Sequence, residues 1–269
     1  MNRRLAVTLA GLAILVMACT AGPARSSPSV DSLPLTVFGA ASLKGALDRV
    51  KPAWEAAHPG SVLTISTDSS AALETQIEQG APADVLLSAD TSNPNKLVGE
   101  GLADGNPVSF AGNVLTIVVP ADNPARIASP ADLARRGLKI IAAGDDVPIT
   151  TYALRVVANL AKSTGDPSAF EVAYAANVVS REDNVRAVVA KIELGEGDAG
   201  IVYATDAKAS AKVATIAIPA EANVPATYAG VVVKSSAHSA TAHALLSWLA
   251  GPDGQAILAS FGFQPPPAG

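Results

Sequence analysis

The sequence contains only one cysteine, Cys19, so the chain cannot form an internal disulfide and is not a disulfide-stabilised secreted fold. Aromatic residues make up 4% of the chain and charged residues 16%, against 49% hydrophobic residues. The hydrophobic excess lies in dispersed alanine and valine, and no run is long enough to span a membrane comfortably as a mature helix. With 269 residues, the chain can bury a sizeable core in one large α/β domain or in two smaller lobes.

Basic residues are also too few to form a cluster that neutralises several phosphates, and the formal net charge is −5. We therefore expect no nucleic-acid partner. Three histidines and one cysteine offer too few ligands for a zinc site, and the chain lacks the Gly-x-Ser-x-Gly elbow of serine hydrolases. We expect a protein that is not an enzyme, with no catalytic residues, no cofactor and no direct metal-cation ligands.

The N-terminus has the pattern of a secretory signal peptide over residues 1–18. Two arginines precede an apolar stretch that ends in Val16-Met17-Ala18, directly before Cys19. This ending resembles the lipobox of bacterial lipoproteins, in which the cysteine is lipidated; the alternative is an ordinary signal peptide with an incidental cysteine. Residues 19–33, rich in Ser, Pro, Ala and Gly, then predict a lipidated flexible tether. Without the signal, the chain carries 17 basic and 24 acidic residues, a formal charge of −7.

After the tether, short β-rich runs alternate with segments of helical periodicity, which predicts an α/β fold. Strands are predicted at residues 35–38, 62–65, 85–87, 114–119, 139–143, 201–203, 213–218 and 228–233. Helices are predicted around residues 43–54, 73–80, 131–136, 154–161, 185–192, 241–249 and 253–260. This alternation favours parallel-rich sheets covered on both faces, and two such sheets joined by chain crossings would enclose a cleft between them.

Small hydroxyl residues follow two of the predicted strands. Ser42 comes directly after the first strand, and Ser69 and Ser70 come after the second, each just before a helix. A serine in this position can cap its helix, which leaves neighbouring backbone N–H groups pointing outward. Backed by the helix macrodipole, such groups form an anion site without any formal charge. Each serine alone is better explained as a simple helix cap, whereas two serines in equivalent turns support a ligand site and simple capping about equally.

Six short segments between residues 35 and 263 carry a more specific pattern. They read FGAASL at 38–43, DSS at 68–70, QIEQGAPADV at 76–85, NVR at 184–186, GIVYATDA at 200–207 and FGF at 261–263. Taken in order, these segments resemble the molybdate-binding proteins of ABC importers. The segment at 76–85 is the most specific of the six, and together they span almost the whole chain after the tether.

The resemblance implies a two-lobed, hinged α/β fold of the periplasmic-binding-protein type (type II). Each lobe would be a mixed sheet flanked by helices, with the ligand in the interlobe cleft. The first lobe would comprise residues 34–113 plus 219–269, and the second residues 114–218.

The resemblance also implies which residues hold the oxyanion. Ser42 and Ser70 would each give a hydroxyl and a backbone N–H, Ile149 and Val185 would give backbone N–H groups, and Tyr203 a phenol. The turn at Ile149 departs from the family, which usually carries a small Ala-Gly pair there, so the donor could instead be Thr150 or Thr151.

The function implied is that of an extracytoplasmic lipoprotein, anchored to the cell membrane through Cys19, that captures molybdate. It would also bind tungstate, which is nearly isosteric, and deliver either anion to the permease and ATPase subunits of an ABC importer. We expect a monomer. The alternatives are a binding protein for sulfate or another tetrahedral oxyanion and, less favoured by the residues, a secreted hydrolase.

Overall fold

The computed structural model describes residues 33–267 of the protein. The predicted signal peptide, the lipidation site Cys19 and the tether as far as residue 32 lie outside these residues. Within residues 33–267, no helix is both long enough and apolar enough to cross a membrane.

The described residues form ten strands, nine α-helices and two short 3-10 helices. The strands are β1 (Leu33–Ala40), β2 (Ser61–Asp68), β3 (Val85–Ser88), β4 (Ala103–Asn113), β5 (Leu115–Pro120), β6 (Ile140–Ala143), β7 (Val178–Glu182), β8 (Gly200–Tyr203), β9 (Val213–Ile216) and β10 (Ala226–Val233). The α-helices are α1 (Lys44–Ala57), α2 (Ser70–Glu78), α3 (Ser92–Gly99), α4 (Pro148–Lys162), α5 (Pro167–Asn177), α6 (Val185–Glu193), α7 (Ala204–Lys208), α8 (Ser239–Ala250) and α9 (Pro252–Phe261). The 3-10 helices are Ala41–Leu43 and Pro130–Ala134.

The largest sheet has five strands in the order β2-β1-β3-β10-β4. Strand β1 pairs in parallel with β2 and β3, whereas β10 runs antiparallel to both β3 and β4. The sheet is therefore mixed, and the expectation of parallel-rich sheets is only half right. Strand β10 joins this sheet only after strands β5 to β9 have formed elsewhere along the chain, and it runs in the opposite direction to β1.

The second group of strands lies between residues 115 and 216. Strands β8, β5 and β9 form an antiparallel three-stranded sheet, and β6 pairs in parallel with β7. The chain thus leaves the five-stranded sheet after β4 and returns to it with β10. The predicted α/β architecture, with mixed sheets flanked by helices, is confirmed.

Helix formation follows the apolar periodicity of the sequence. In α1 the residues Leu47, Val50 and Trp54 are buried at spacings of three and four, which is one face of a helix. Helix α6 buries Val188 and Ile192 in the same way and packs against β5, β6 and β8. Helices α2, α6 and α7 each begin within three residues of the end of a strand, whereas α5 and α9 follow other helices.

One predicted helix needs correction, and five elements of the structure were not predicted. Strand β4 was not predicted because its first half, with Gly105, Asn106 and Pro107, is rich in residues that disfavour strands. The helix predicted at residues 131–136 is the 3-10 helix Pro130–Ala134, which ends before Arg135 takes an extended conformation. Helices α3, α5 and α7 and strand β7 were also not predicted.

Candidate functional site

A small cavity lies where the turns of the five-stranded sheet meet the helix starts of the second group. Its volume is about 10 Å³, far below the roughly 300–1,000 Å³ of pockets for organic ligands. All five residues predicted to bind the oxyanion line this cavity. The lining residues are Ala40, Ala41, Ser42, Asp68, Ser69, Ser70, Ala89, Val147, Pro148, Ile149, Asn184, Val185 and Tyr203.

Two serines come from the first side of the cavity. Ser42 lies in the 3-10 helix after β1, and Ser70 is the first residue of α2. Neither hydroxyl caps its helix, so the predicted capping role is wrong. The Ser70 oxygen instead accepts a hydrogen bond from the backbone N–H of Ala89 at 3.0 Å, which leaves the Ser70 proton for another acceptor. The Ser42 oxygen lies 2.9 Å from the phenol oxygen of Tyr228.

Two helix starts come from the other side. Ile149 is the second residue of α4, after Pro148, and Val185 is the first residue of α6. Backbone N–H groups in the first turn have no acceptor within their own helix, and the helix macrodipole makes that end positive. Helix α6 is capped by the side chain of Asn184, which accepts from the N–H of Ala187 at 3.2 Å. These starts thus direct donors rather than charges at the cavity.

The sequence left three possible donors in the turn before α4, namely Ile149, Thr150 and Thr151. The Thr150 backbone N–H donates to the carbonyl of Val147 at 2.9 Å, and its hydroxyl contacts the carbonyl oxygens of Ala143 and Gly144 at 3.1 and 2.7 Å. Thr151 is exposed to solvent and does not line the cavity. Of these three candidate donors, Ile149 is the one that lines the cavity.

Tyr203 closes the cavity from the end of β8. Its side chain is 1% exposed, and its hydroxyl is buried without a hydrogen-bond partner among the described residues. Burial raises the pKa of this phenol well above its ordinary value, so the group remains a neutral O–H donor. Edge-on contacts with Tyr152 and Tyr228, at ring-centroid distances of 6.2 and 5.5 Å, fix the position of the ring.

Ser69 is a candidate site residue that the sequence reasoning did not select. Its hydroxyl is buried, lines the cavity and has no partner in the described part of the chain. It precedes α2 in an extended conformation but does not cap that helix. Its position beside Ser70, in the same turn, is the signal that could have identified it.

Asp68 is the one carboxylate in the cavity wall. Its Oδ1 accepts from the backbone N–H of Ser69 at 2.7 Å and from the side-chain amide of Asn184 at 3.1 Å. The second bond joins the two sides of the cavity. No lysine, arginine or histidine is found among the described residues that line it. The cavity therefore presents hydroxyl and N–H donors rather than formal positive charge.

A larger cavity lies between α4, α5 and β6. It is lined mostly by apolar side chains, including Leu154 and Val157, and reaches Glu171 and Arg181 at its polar end. It contains neither Ser42, Ser70 nor Tyr203. We therefore assign the candidate site to the smaller cavity, where the donors converge.

Comparison with known proteins shows the same kind of molecule. The family described as bacterial extracellular solute-binding protein matches residues 35–264. The chain belongs to this family. Members are extracellular binding proteins, so this solute-binding protein acts outside the cytoplasm and binds its solute.

The relatives of this solute-binding protein confirm the resemblance that its motifs predicted. The molybdate-binding protein ModA of Mycobacterium tuberculosis is 34% identical over 97% of this chain and 95% of its own length. The molybdate-binding protein ModA of Haemophilus influenzae is 31% identical over 86% of this chain and 90% of its own length.

Solved structures show the same fold. The periplasmic molybdate-binding protein of Azotobacter vinelandii has a TM-score of 0.73 and 26% identity, over 86% of this chain and 99% of that one. The sulfate-binding protein SubI of M. tuberculosis has a TM-score of 0.76 at 23% identity, over 86% of each chain. The second likeness concerns the fold alone.

Proposed function

We propose that this solute-binding protein captures molybdate, and tungstate as well, and delivers the anion to an ABC importer. The observation that carries the proposal is the convergence of hydroxyl and N–H donors, without a cationic side chain, on one cavity of small volume. Ser42, Ser70, Ile149, Val185 and Tyr203 are the proposed binding residues.

The donor set matches the chemistry of a fully deprotonated dianion. Each molybdate oxygen only accepts hydrogen bonds. The hydroxyls of Tyr203 and Ser69, which are buried and have no partner within the described part of the chain, would each be stabilised by gaining an acceptor. Donors in a water-excluded cavity interact more strongly than in water, so lysine or arginine is not required. The Asp68 oxygen that faces Ser69 and Asn184 already accepts two hydrogen bonds.

Molybdate is favoured over sulfate by the relatives. Proteins named as molybdate-binding match at 34% and 31% identity over most of the chain, whereas the sulfate-binding neighbour shares the fold at 23%. Sulfate remains the second candidate because its charge and shape are the same. Discrimination between the two would depend on cavity size, since sulfate has shorter bonds.

We also propose that the chain forms two lobes with boundaries near residues 113 and 219. In support, the strands of the five-stranded sheet lie within residues 33–113 and 226–233, and all other strands lie within residues 115–216. The cavity lies between these two groups, as expected for a hinged protein that closes on its ligand.

Export and anchoring belong to the same proposal. Residues 1–18 act as a signal peptide and Cys19 as the lipidated residue that holds a monomer at the cell membrane. The sequence pattern supports this, as does the Bacillus subtilis protein YvgL, whose name describes a substrate-binding lipoprotein of an ABC transporter. It is 29% identical over 98% of this chain and 99% of its own length.

A thermal-shift comparison tests the ligand. Purified protein lacking residues 1–31 is heated with molybdate, tungstate, sulfate or phosphate. Ligand at about one hundred times its dissociation constant should add roughly 2.7 kcal/mol of stability, and we expect this for molybdate and tungstate. A shift with sulfate and none with molybdate or tungstate would replace the proposal by the sulfate alternative.

A further inference from the structure

Tyr228 lies directly behind the cavity without lining it. It is in β10 and fully buried, and its hydroxyl oxygen is 2.9 Å from that of Ser42. Edge-on contacts with Phe110, Tyr203 and Phe263, at ring-centroid distances of 6.3, 5.5 and 5.3 Å, hold the ring in place. The contact with Ser42 is therefore fixed by packing and does not depend on a flexible side chain.

The direction of the hydrogen bond between Tyr228 and Ser42 follows from Asn113. The Asn113 amide oxygen accepts from the backbone N–H of Val114 at 3.0 Å, so its nitrogen faces the other way. That nitrogen donates to Thr205 Oγ1 at 2.8 Å and to the Tyr228 oxygen at 3.4 Å. An amide nitrogen only donates, so the Tyr228 oxygen accepts here.

Among residues 33–267, the phenol proton of Tyr228 then has one acceptor, the Ser42 oxygen. Because that oxygen accepts from Tyr228, the Ser42 proton is left for the cavity that Ser42 lines. Ser70 reaches the same state by a different route, since its oxygen accepts from the Ala89 N–H. Both serines thus face the cavity as donors.

We propose that Tyr228, oriented by Asn113, is a positioning residue that fixes the Ser42 hydroxyl as a donor toward the ligand. The inference rests on the proposed function of oxyanion capture. A serine hydroxyl that is free to rotate can accept as well as donate, so it can also receive the proton of a protonated oxyanion such as hydrogen phosphate. The fixed direction therefore contributes to the selection of fully deprotonated anions.

Tyr228→Phe removes the phenol and keeps the ring, so the aromatic packing is preserved. Calorimetric titration at about pH 8 should show molybdate binding weakened about tenfold, the size of one lost donor. The ratio of phosphate to molybdate dissociation constants should fall at least about fivefold, because Ser42 then also accepts.

In a Ser42→Ala background, Tyr228→Phe should change molybdate affinity less than about twofold, because it acts through Ser42. Tyr174→Phe, the same change at a buried residue outside the cavity, should leave both constants unchanged.

Unaltered affinity and selectivity in Tyr228→Phe, or an equal effect with and without Ser42, would overturn the inference. Asn113→Asp gives a second measurement if Tyr228→Phe does not fold. A carboxylate accepts the phenol proton of Tyr228, which reverses the direction of the hydrogen bond between Tyr228 and Ser42. The Ser42 oxygen can then accept a hydrogen bond from the ligand. Its charge repels both dianions alike, so the phosphate-to-molybdate ratio should still fall, and an unchanged ratio contradicts the inference.

Failure of the proposed function has a different signature, since the unsubstituted protein would then not bind molybdate. The same set of variants is in that case compared with sulfate against phosphate. Sulfate also only accepts hydrogen bonds, so the expected changes and the contradicting results are the same.

Discussion

At the residue scale, the candidate site depends on where hydroxyl protons point. Ser42 and Ser70 were identified from the sequence because each follows a strand, a local signal. Tyr228 was not, because it contacts Ser42 across 186 positions of sequence, and only the pairing of β10 with β3 and β4 brings it there. Ser69 could have been identified from the sequence, but only its neighbour Ser70, in the same turn, was selected.

Ser69→Ala gives a test in which stability and affinity move in opposite directions. The Ser69 hydroxyl is buried without a partner in the described structure, so its removal should stabilise the ligand-free protein by about 1 kcal/mol. If the hydroxyl donates to the bound oxyanion, molybdate affinity should fall at least about fivefold. Melting temperature and calorimetric titration measure the two effects. Ser247→Ala, at an exposed position of α8, is the control. Weaker stability with unchanged affinity would exclude Ser69 from the site.

Asp206 makes stability depend on pH. Its side chain is buried, its Oδ2 has no partner among the described residues, and burial raises its pKa from 3.8 to about 7 although Arg186 opposes the shift. The folded protein therefore keeps this proton up to about pH 7, whereas the unfolded chain loses it near pH 4. The contribution of Asp206 is most favourable below about pH 4 and is lost as the pH rises to about 7.

Asp206→Asn should remove this dependence. Urea unfolding should show the variant more stable than the unsubstituted protein by roughly 1–4 kcal/mol at about pH 8, since one pKa unit corresponds to about 1.4 kcal/mol. Below about pH 3 the two should be equal, because Asp206 is then protonated in both the folded and the unfolded state. Other carboxylates titrate in both proteins and cancel in the difference. A difference that is constant across this range would show that Asp206 is ionised in the folded protein.

At the element scale, the sequence predicts most elements whose apolar residues repeat regularly. Helix α6 was predicted because Val185, Val188 and Ile192 fall on one face. Strand β4 was missed because its pairing with β10, rather than its own residues, stabilises it. The helix starts at α4 and α6 supply donors that depend on backbone position, so the sequence identified them only through resemblance.

Val185→Pro tests the backbone donor of α6. Proline is tolerated at the first helical position, where α4 already carries Pro148, and Asn184 has the extended conformation that a residue before proline requires. The substitution removes the N–H, so molybdate affinity should fall about tenfold while the helix persists. Val185→Ala keeps the N–H and should bind within about twofold of the unsubstituted protein. Titration calorimetry measures binding and circular dichroism the helix. Equal loss in both variants would assign the effect to side-chain packing.

At the scale of the whole molecule, the charge of the protein opposes its proposed ligand. The chain without its proposed signal peptide carries a formal charge of −7, and the open cleft beside the cavity is rich in carboxylates. Its charged lining residues are Asp68, Glu74, Asp145, Asp146, Glu182 and Asp183 against Lys96 and Arg181. A dianion that enters by this cleft is repelled before the local donors can act. On this view the donors of the cavity set the affinity for the anion, whereas the charges of the cleft set the rate at which it is captured.

Salt should therefore speed up capture. Raising sodium chloride from about 10 to about 150 mM shortens the Debye length from about 30 to about 8 Å, which screens the carboxylates and should raise the association rate constant for molybdate about two- to tenfold. The dissociation rate should change little, because the bound anion lies inside the cavity. Stopped-flow fluorescence measures both rates. Asp145→Asn with Asp146→Asn should raise the rate at low salt and reduce its salt dependence.

An association rate constant that falls as salt is added would identify a different entrance to the cavity. A second opening beside Ser42 is lined by Lys44, Arg186 and Lys208 together with Asp48 and Asp206. If association slows as salt is added, these basic residues attract the anion, and Arg186→Gln should then slow capture at low salt. If association quickens, the anion enters by the acidic cleft, and the same substitution leaves the rate unchanged. The salt dependence thus decides between two routes to one site.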